Sequence, residues 1–355
     1  MPRRGYVDVA RGLAVLLMIE AHTLDAWTRA ASKHGAAFRD ATILGGFAAP
    51  LFLWLAGVAV VLAAGRAEAR GAGRAAGVDA VCRRGLEIFI LAFLFRLQAF
   101  IVSPGSHPVT LFRVDILNVM GPAIAAAALV WGCAASNATR AWLFAIVAAA
   151  TAMATPIIRS AAWVDALPMW LQWYARPFGD HTTFTLFPWV GFVFAGGASG
   201  ALVASARDDR AEARLQIRLA IAGAALVAIG FWTAARPTIY ASSSFWTSSP
   251  TWFAIRLGVM MMALAALFFA IRNPQAAIRT AWLARFGRAS LFVYWIHVEL
   301  VYGYASWLWR GRLPLWGTAI AYAAFCVLMY RAIDLRDAVV TYFARPAAAG
   351  QLTTT

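Results

Sequence analysis

Apolar residues dominate the chain in long runs, and short stretches rich in arginine separate these runs. A helix needs about 20 residues to cross the hydrocarbon core of a bilayer. Runs that approach this length lie near 7–28, 42–65, 84–102, 112–133, 141–158, 184–205, 218–235, 252–271, 287–309 and 315–333. The pattern therefore predicts an all-α, multi-pass membrane protein of about ten spans. We expect one transmembrane domain over residues 1–340 and a short cytoplasmic tail over 341–355.

Composition supports this prediction. Hydrophobic residues make up 62% of the 355 residues and charged residues only 13%, whereas an average soluble domain carries about a quarter charged residues. The net charge of +15 is typical of a nucleic-acid-binding protein, but here the arginines fall mostly in short loops and at the ends of the apolar runs. Such placement indicates membrane topology. We therefore expect a lipid bilayer as partner, and no nucleic acid.

The arginines also predict an orientation, because cytoplasmic loops carry an excess of positive charge. If the amino terminus is inside, the cytoplasmic loops hold Arg66, Arg70, Arg74, Arg83, Arg84, Arg207, Arg210, Arg214, Arg218, Arg272, Arg279, Arg285, Arg288, Arg336 and Arg345. The opposite loops hold fewer cations, which favours a chain with both ends in the cytoplasm. The chain contains one lysine among its 31 basic residues, which indicates a GC-rich bacterial genome and hence the bacterial inner membrane.

Ionisable residues interrupt the first apolar run along one stripe. Asp8, Arg11, His22 and Asp25 lie within roughly 80° of one another on a helix that turns about 100° per residue. Such residues inside a membrane are costly and usually functional. The spacing of His22 and Asp25 allows the carboxylate to orient a general base, or His22 simply hydrogen-bonds a neighbouring span. Asp8 and Arg11 form an ion pair at the helix end or line a pocket for an anion.

Two later runs also carry polar residues. Asn118 and Arg113 lie near the start of the fourth run, and His297 lies near the middle of the ninth. Helical spacing places Tyr294, His297 and Tyr304 on one face. His297 is either a helix–helix hydrogen-bonding group or a catalytic residue. The three cysteines lie far apart without metal-binding spacing, so we expect no metal.

Five segments carry a resemblance to a known family, and they occur in the family's order. They are VDVARGLAVLLMIEAH (7–22), FAAPLFLWLAG (47–57), FRVDILNVMG (112–121), FPWVGFVFAGG (187–197) and GRASLFVYWIHVEL (287–300). Together they resemble the heparan-alpha-glucosaminide N-acetyltransferase catalytic family, especially its shorter bacterial members. The opening Asp-x-x-Arg-Gly, followed by a histidine eleven residues after the arginine, also resembles the related type-three membrane O-acyltransferases. The resemblance implies transfer of an acyl group, usually acetyl from cytoplasmic acetyl-CoA, to a sugar at the opposite face.

The resemblance also implies roles for individual residues. Arg11 belongs to the signature helix and His22 to the acyl-transfer site. In the heparan-type enzymes the reactive histidine lies in a Lys-His context after the opening span, which here is Lys33 and His34. His34 therefore competes with His22 for that role. His297 matches the histidine of a late family motif.

Two departures from the family pattern affect the expected acceptor. The fourth run has Asn118-Val119-Met120 where the family often shows a glutamine followed by an arginine, and the large lumenal domain of the animal enzyme is missing. Because of both departures, the resemblance defines the type of reaction more closely than the identity of the acceptor sugar.

These features together predict a membrane acetyltransferase. We expect His22, supported by Asp25, to activate a hydroxyl or amine acceptor or to carry the acetyl group transiently. The donor phosphates are expected to be bound by Arg11 and some of Arg83, Arg84 and Arg288, and Asp8 lines the same pocket beside Arg11. Asn118, Arg113 or Tyr294 is expected at the thioester oxygen. The expected partners are a small-molecule or glycan acceptor and a second copy of the chain in a homodimer. The rival prediction is a transporter or flippase for a small polar or glycan-linked solute that uses the same buried charges.

Overall fold

The computed structural model of the protein describes residues 4–102 and 107–349. Apart from two isolated β-bridges, the regular structure of these residues is helical, which confirms the all-α prediction. The helices are α1 Gly5–Trp27, α2 Ala36–Gly45, α3 Ala48–Ala67, α4 Gly73–Val102, α5 Ile116–Gly132, α6 Asn137–Ser160, α7 Met169–Ala175, α8 Leu186–Ser205, α9 Asp209–Ala234, α10 Pro250–Ala270, α11 Pro274–Arg279, α12 Ala281–Arg288, α13 Ser290–Tyr302 and α14 Leu315–Ala349. Of the predicted tail, residues 350–355 lie outside the described residues.

Each of the ten predicted runs contains a helix, and seven helical segments in the described part of the chain are long and apolar enough to cross a membrane. These segments are Ala36–Gly71, Gly73–Val102, Asn137–Ser160, Leu186–Ser205, Asp209–Ala234, Pro250–Ala270 and Leu315–Phe343. Helices α5 and α13 are apolar but shorter. Helix α1 has the length, but its acids and arginine set it apart from the seven. The protein is therefore a multi-pass membrane protein.

The ninth predicted run differs in its extent. The helix there covers only Ser290–Tyr302, because Gly303 leaves the helical conformation and a short turn follows. Tyr304 lies in that turn and is 63% exposed. The prediction that Tyr304 shares a helix face with Tyr294 and His297 is therefore wrong.

The described chain divides into two compact units. The first contains the chain up to Val7 together with Ala49–Ile278, and the second contains Asp8–Ala48 together with the chain from Arg279. In the first unit α4 packs on α5, α6 on α8 and α9 on α10. The α4–α5 pair crosses where Gly85 faces Gly121. Small residues at such crossings let two backbones approach closely, which is a common means of helix packing in membranes.

In the second unit α1 packs tightly against α12. A methyl group on Gly12 would overlap the carbonyl of Leu283, and one on Gly287 would overlap the carbonyl of Asp8. Only glycine permits this approach of the two backbones. The Arg-Gly pair of the opening segment therefore has a packing role at its glycine.

The other end of α1 is fastened to the chain that precedes α14. The last carbonyls of a helix have no partner within the helix, and here Ala26 and Trp27 accept hydrogen bonds from the backbone of Gly311 and Leu313. The indole of Trp27 also donates to the carbonyl of Val301 on α13 at 3.1 Å. These bonds hold the end of α1 that carries His22 in one position relative to α13.

Candidate functional site

Two histidines meet in the second unit. Nδ1 of His22 on α1 lies 2.7 Å from Nε2 of His297 on α13, and the two rings are nearly parallel. His297 is fully buried and His22 is half-buried. The structure thus brings together two predicted site residues that are 275 positions apart in the chain.

The protons of this pair follow from its hydrogen bonds. Nδ1 of His297 lies 2.9 Å from the carbonyl oxygen of Val293 and 3.0 Å from that of Tyr294. Carbonyl oxygens only accept, so Nδ1 of His297 carries its proton. In the neutral ring Nε2 of His297 is then an acceptor, and Nδ1 of His22 must donate to it. Nε2 of His22 is left with its lone pair, and no described residue hydrogen-bonds to it. The lone pair on Nε2 of His22 can therefore accept a proton.

Asp25 has a different partner from the one that its spacing predicts. Its carboxylate accepts a hydrogen bond from the hydroxyl of Tyr302 at 2.9 Å and lies 3.8 Å from Nζ of Lys33. Asp25 is exposed at the end of α1. His22 is oriented by the hydrogen bond that it donates to His297. Asp25 hydrogen-bonds Tyr302 and not His22, and the ring of Tyr302 is 5.7 Å from the imidazole of His22. The expectation that Asp25 orients His22 directly is corrected on this point.

His34 lies in an exposed turn just before α2. Its neighbour Lys33 donates to the backbone carbonyl of Asp25 at 2.7 Å, which folds the turn back onto the end of α1. Within the described residues, His34 itself has no hydrogen bond or ion pair. Its ring is accessible, but unlike His22 it has no partner that sets its tautomer.

Asp8 and Arg11 lie at the opposite end of α1. Their side chains form an ion pair, with 3.4 Å between Nη1 and Oδ1, and Asp8 is buried. Arg288 is exposed and directly follows Gly287, which contacts the backbone of Asp8. The helical rise puts Arg11 about 16 Å from His22 along the helix axis. Asp8 and Arg11 neutralise each other, so the positive charge at this end comes from Arg288 of α12. We call the end with Arg11 and Arg288 the cationic end of the stripe, and His22 lies at the other end.

Tyr294 is buried close to the histidine pair. Its backbone carbonyl accepts from His297, and its ring centroid is 6.0 Å from that of His297. The structure therefore places Tyr294 beside the site, in the helix that supplies its second histidine.

The remaining predicted donor-binding residues belong to the first unit. Arg83 and Arg84 are exposed on α4 and pair with acids of the same helix, Asp79 at 2.9 Å and Glu87 at 2.7 Å. Asn118 is buried, and its side-chain oxygen accepts from the backbone N–H of Asp115 at 3.0 Å, which closes the start of α5. The expected role of Asn118 at the thioester oxygen stays a prediction.

Sequence reasoning missed Tyr302 and the structural role of Lys33. Tyr302 follows His297 by five residues, which on a helix separates the two side chains by about 140°, so periodicity does not group them. Tyr302 joins the site through Asp25 on α1. The available signal was the position of Tyr302 at the end of an apolar helix, where tyrosines commonly reach polar partners.

Fold and site together define a class: a multi-pass, all-α membrane protein with a histidine arranged to accept a proton. The family model for heparan-alpha-glucosaminide N-acetyltransferase, catalytic, matches residues 3–240 of this chain. The chain belongs to this family, which confirms the resemblance and the prediction of an acetyltransferase. The family uses acetyl-CoA as donor. No curated protein matches the sequence. His22 and His34 lie within the matched region, and His297 lies beyond it.

Proposed function

We propose that this protein transfers the acetyl group of acetyl-CoA to a hydroxyl or amine of a sugar, with the donor on the cytoplasmic side and the acceptor on the opposite side. The observation that carries the proposal is the hydrogen bond between His22 and His297, which leaves Nε2 of His22 basic. A base at this position is what acyl transfer to a weakly acidic acceptor requires. Family membership supports the acetyl group and the donor.

The transfer proceeds on His22 as follows. Nε2 takes the proton of the acceptor hydroxyl or amine, and the acceptor oxygen or nitrogen forms a bond to the acetyl carbon. The bond from that carbon to sulfur breaks, and the departing thiolate takes the proton from Nε2. His297 keeps the ring of His22 in the required tautomer throughout, because its own Nδ1 proton is held by two backbone carbonyls.

The cationic end of α1 also supports binding of the donor from the cytoplasmic side. Guanidinium groups bind phosphate well because their donors match its oxygens. Arg11 and Arg288 supply two such groups at that end. The about 16 Å of helix between Arg11 and His22 is a length that an extended thioester arm can cover. Arg83 and Arg84 remain predictions for the same role.

The test is acetyl transfer by the full chain in proteoliposomes. Acetyl-CoA is the donor, glucosamine and N-acetylglucosamine are the amine and hydroxyl probes, and the released thiol and the acetylated sugar are both measured. We expect His22→Ala to lower the rate about 10²-fold or more, the contribution of a positioned general base. The matched variant His34→Ala keeps most of the rate.

Two outcomes contradict this assignment. If His34→Ala abolishes transfer and His22→Ala does not, the acetyl group is handled in the exposed turn before α2. If both variants keep the wild-type rate, neither histidine is the base.

A further inference from the structure

Two arginines in the first unit lack an acidic partner among the described residues. Arg113 precedes α5 and donates from Nη2 to the hydroxyl of Thr183 at 3.0 Å. Arg159 lies in the last turn of α6 and donates from Nη2 to the hydroxyl of Thr185 at 2.8 Å and to the carbonyl of Phe187 at 2.9 Å. Both side chains are half-buried, and the Nε–H of each is shielded from solvent without an acceptor.

The two guanidinium groups hold the same short segment of chain. Thr183 and Thr185 are two residues apart, so their Cα atoms are separated by no more than about 7 Å. This segment runs into α8 and is tied to the residue after Arg113: Thr183 donates its N–H to the carbonyl of Val114 at 3.0 Å. The tertiary fold therefore brings two guanidinium groups that lack a carboxylate partner among the described residues onto one stretch of three residues.

These atoms share one property: all of them donate. Buried charges in proteins are normally paired, and an uncompensated one is expensive. The usual partner of two guanidinium groups is an anionic oxygen group.

We propose that Arg113 and Arg159 bind an anionic oxygen group, a carboxylate or a phosphate, of a substrate of this enzyme. This proposal rests on the proposed function, which supplies two sources of such an anionic group. One source is the phosphates of the acetyl-CoA donor, and the other is an acidic group on the acceptor sugar.

Equilibrium binding to the full chain in lipid nanodiscs tests the proposal without turnover. Two matched pairs of probes separate the sources: acetyl-CoA against S-acetylpantetheine, which lacks the nucleotide phosphates, and glucuronate against glucose. We expect the wild type to prefer the charged member of one pair by about tenfold or more, as charge-assisted bonds to arginine allow. The source is identified by the pair whose preference is lost in Arg113→Gln and Arg159→Gln, because Arg11 and Arg288 are themselves proposed to favour acetyl-CoA.

The variants Arg113→Gln and Arg159→Gln should each remove most of this preference, and Arg159→Lys should restore part of it. Arg176→Gln is the matched control, because Arg176 is an arginine of the same part of the chain that is already paired with Asp165. Thermal melting shows whether each variant is folded. His22→Ala should keep the preference while losing transfer, so failure of the proposed base and failure of the anion site are distinguishable.

The proposal is overturned if the wild type shows no preference in either pair. It is equally overturned if both glutamine variants keep the wild-type preference, as Arg176→Gln does. The two arginines would then serve only to fasten the segment before α8.

Discussion

His22 acquires its chemical character from His297 and not from its own helix. A neutral imidazole has two nitrogens of opposite roles, and the hydrogen bond at one decides the role of the other. The carbonyls of Val293 and Tyr294 hold the proton of His297 on Nδ1. Nε2 of His297 is then an acceptor, and it holds the proton of His22 on Nδ1. His297 is thus a positioning residue for the proposed reaction.

This arrangement predicts different effects for two substitutions of His297. In His297→Gln, the amide oxygen lies near the place of Nε2 and still accepts from His22, so we expect transfer within about tenfold of the wild type. His297→Leu fills the buried site but offers no acceptor, and we expect about a 10²-fold lower kcat. Rates of acetylated-sugar formation by both variants check the difference. Equal losses in the two would show that His297 serves packing alone.

At the scale of elements, α1 and α12 are joined by a crossing that admits no side chain. Gly12 and Gly287 each face a backbone carbonyl of the other helix. Gly12 follows Arg11 directly, so the crossing also sets the position of the cationic end of the stripe. On the α12 side, Arg285 ties that helix to α14 through Asp334 and Asp337. The hydrogen bond with Asp337 raises the pKa of Arg285 above its ordinary value.

The crossing predicts that a single methyl group destabilises the protein. In Gly12→Ala or Gly287→Ala the two helices must move apart, and we expect a loss of about 1–3 kcal/mol in the free energy of unfolding. Gly65→Ala is the control, because no atom lies within 4 Å of the added methyl group in α3, and alanine favours a helix over glycine. Thermal denaturation in detergent compares the three variants. Unchanged stability of both α1 and α12 variants would mean that the helices cross more loosely than the structure has them.

At the scale of the whole molecule, the long apolar helices have lengths that match the thickness of a bilayer. Backbone polar groups within hydrocarbon must be satisfied inside the segment, and a helix does this. The seven apolar segments meet that requirement by length and composition. Helix α1 differs from these segments because it carries several ionisable side chains. Two of them, His22 and Asp25, hydrogen-bond other parts of the second unit.

The arginine distribution predicts which loops face the cytoplasm. We expect the chain before α9 to be inside and the chain between α9 and α10 to be outside. In a background without Cys82, Cys133 and Cys326, a membrane-impermeant maleimide added to right-side-out vesicles should label Ala241→Cys and spare Arg210→Cys. Both positions are exposed. Labelling of Arg210→Cys alone would contradict the predicted orientation and, with it, the proposed sides of donor and acceptor.

The helices of this protein were predictable because their cause is local. Each predicted run contains a helix, since an apolar stretch of bilayer length has one favourable backbone conformation in lipid. The ninth run shows the limit, because Gly303 ended the helix early and moved Tyr304 out of the predicted face. Single residues at helix ends are decided by packing and hydrogen bonds that a hydropathy pattern does not contain.

The sequence by itself determined that the protein is helical, resides in a membrane and belongs to an acetyltransferase family, because composition, periodicity and ordered motifs are properties of the chain alone. It also placed His22 on a polar stripe. Only the tertiary structure decided that His22 hydrogen-bonds His297 and that the carboxylate of Asp25 accepts a hydrogen bond from Tyr302. It also decided that Arg113 and Arg159 hydrogen-bond the same segment before α8. These pairings join residues far apart in sequence, and contacts of that kind arise from how helices pack.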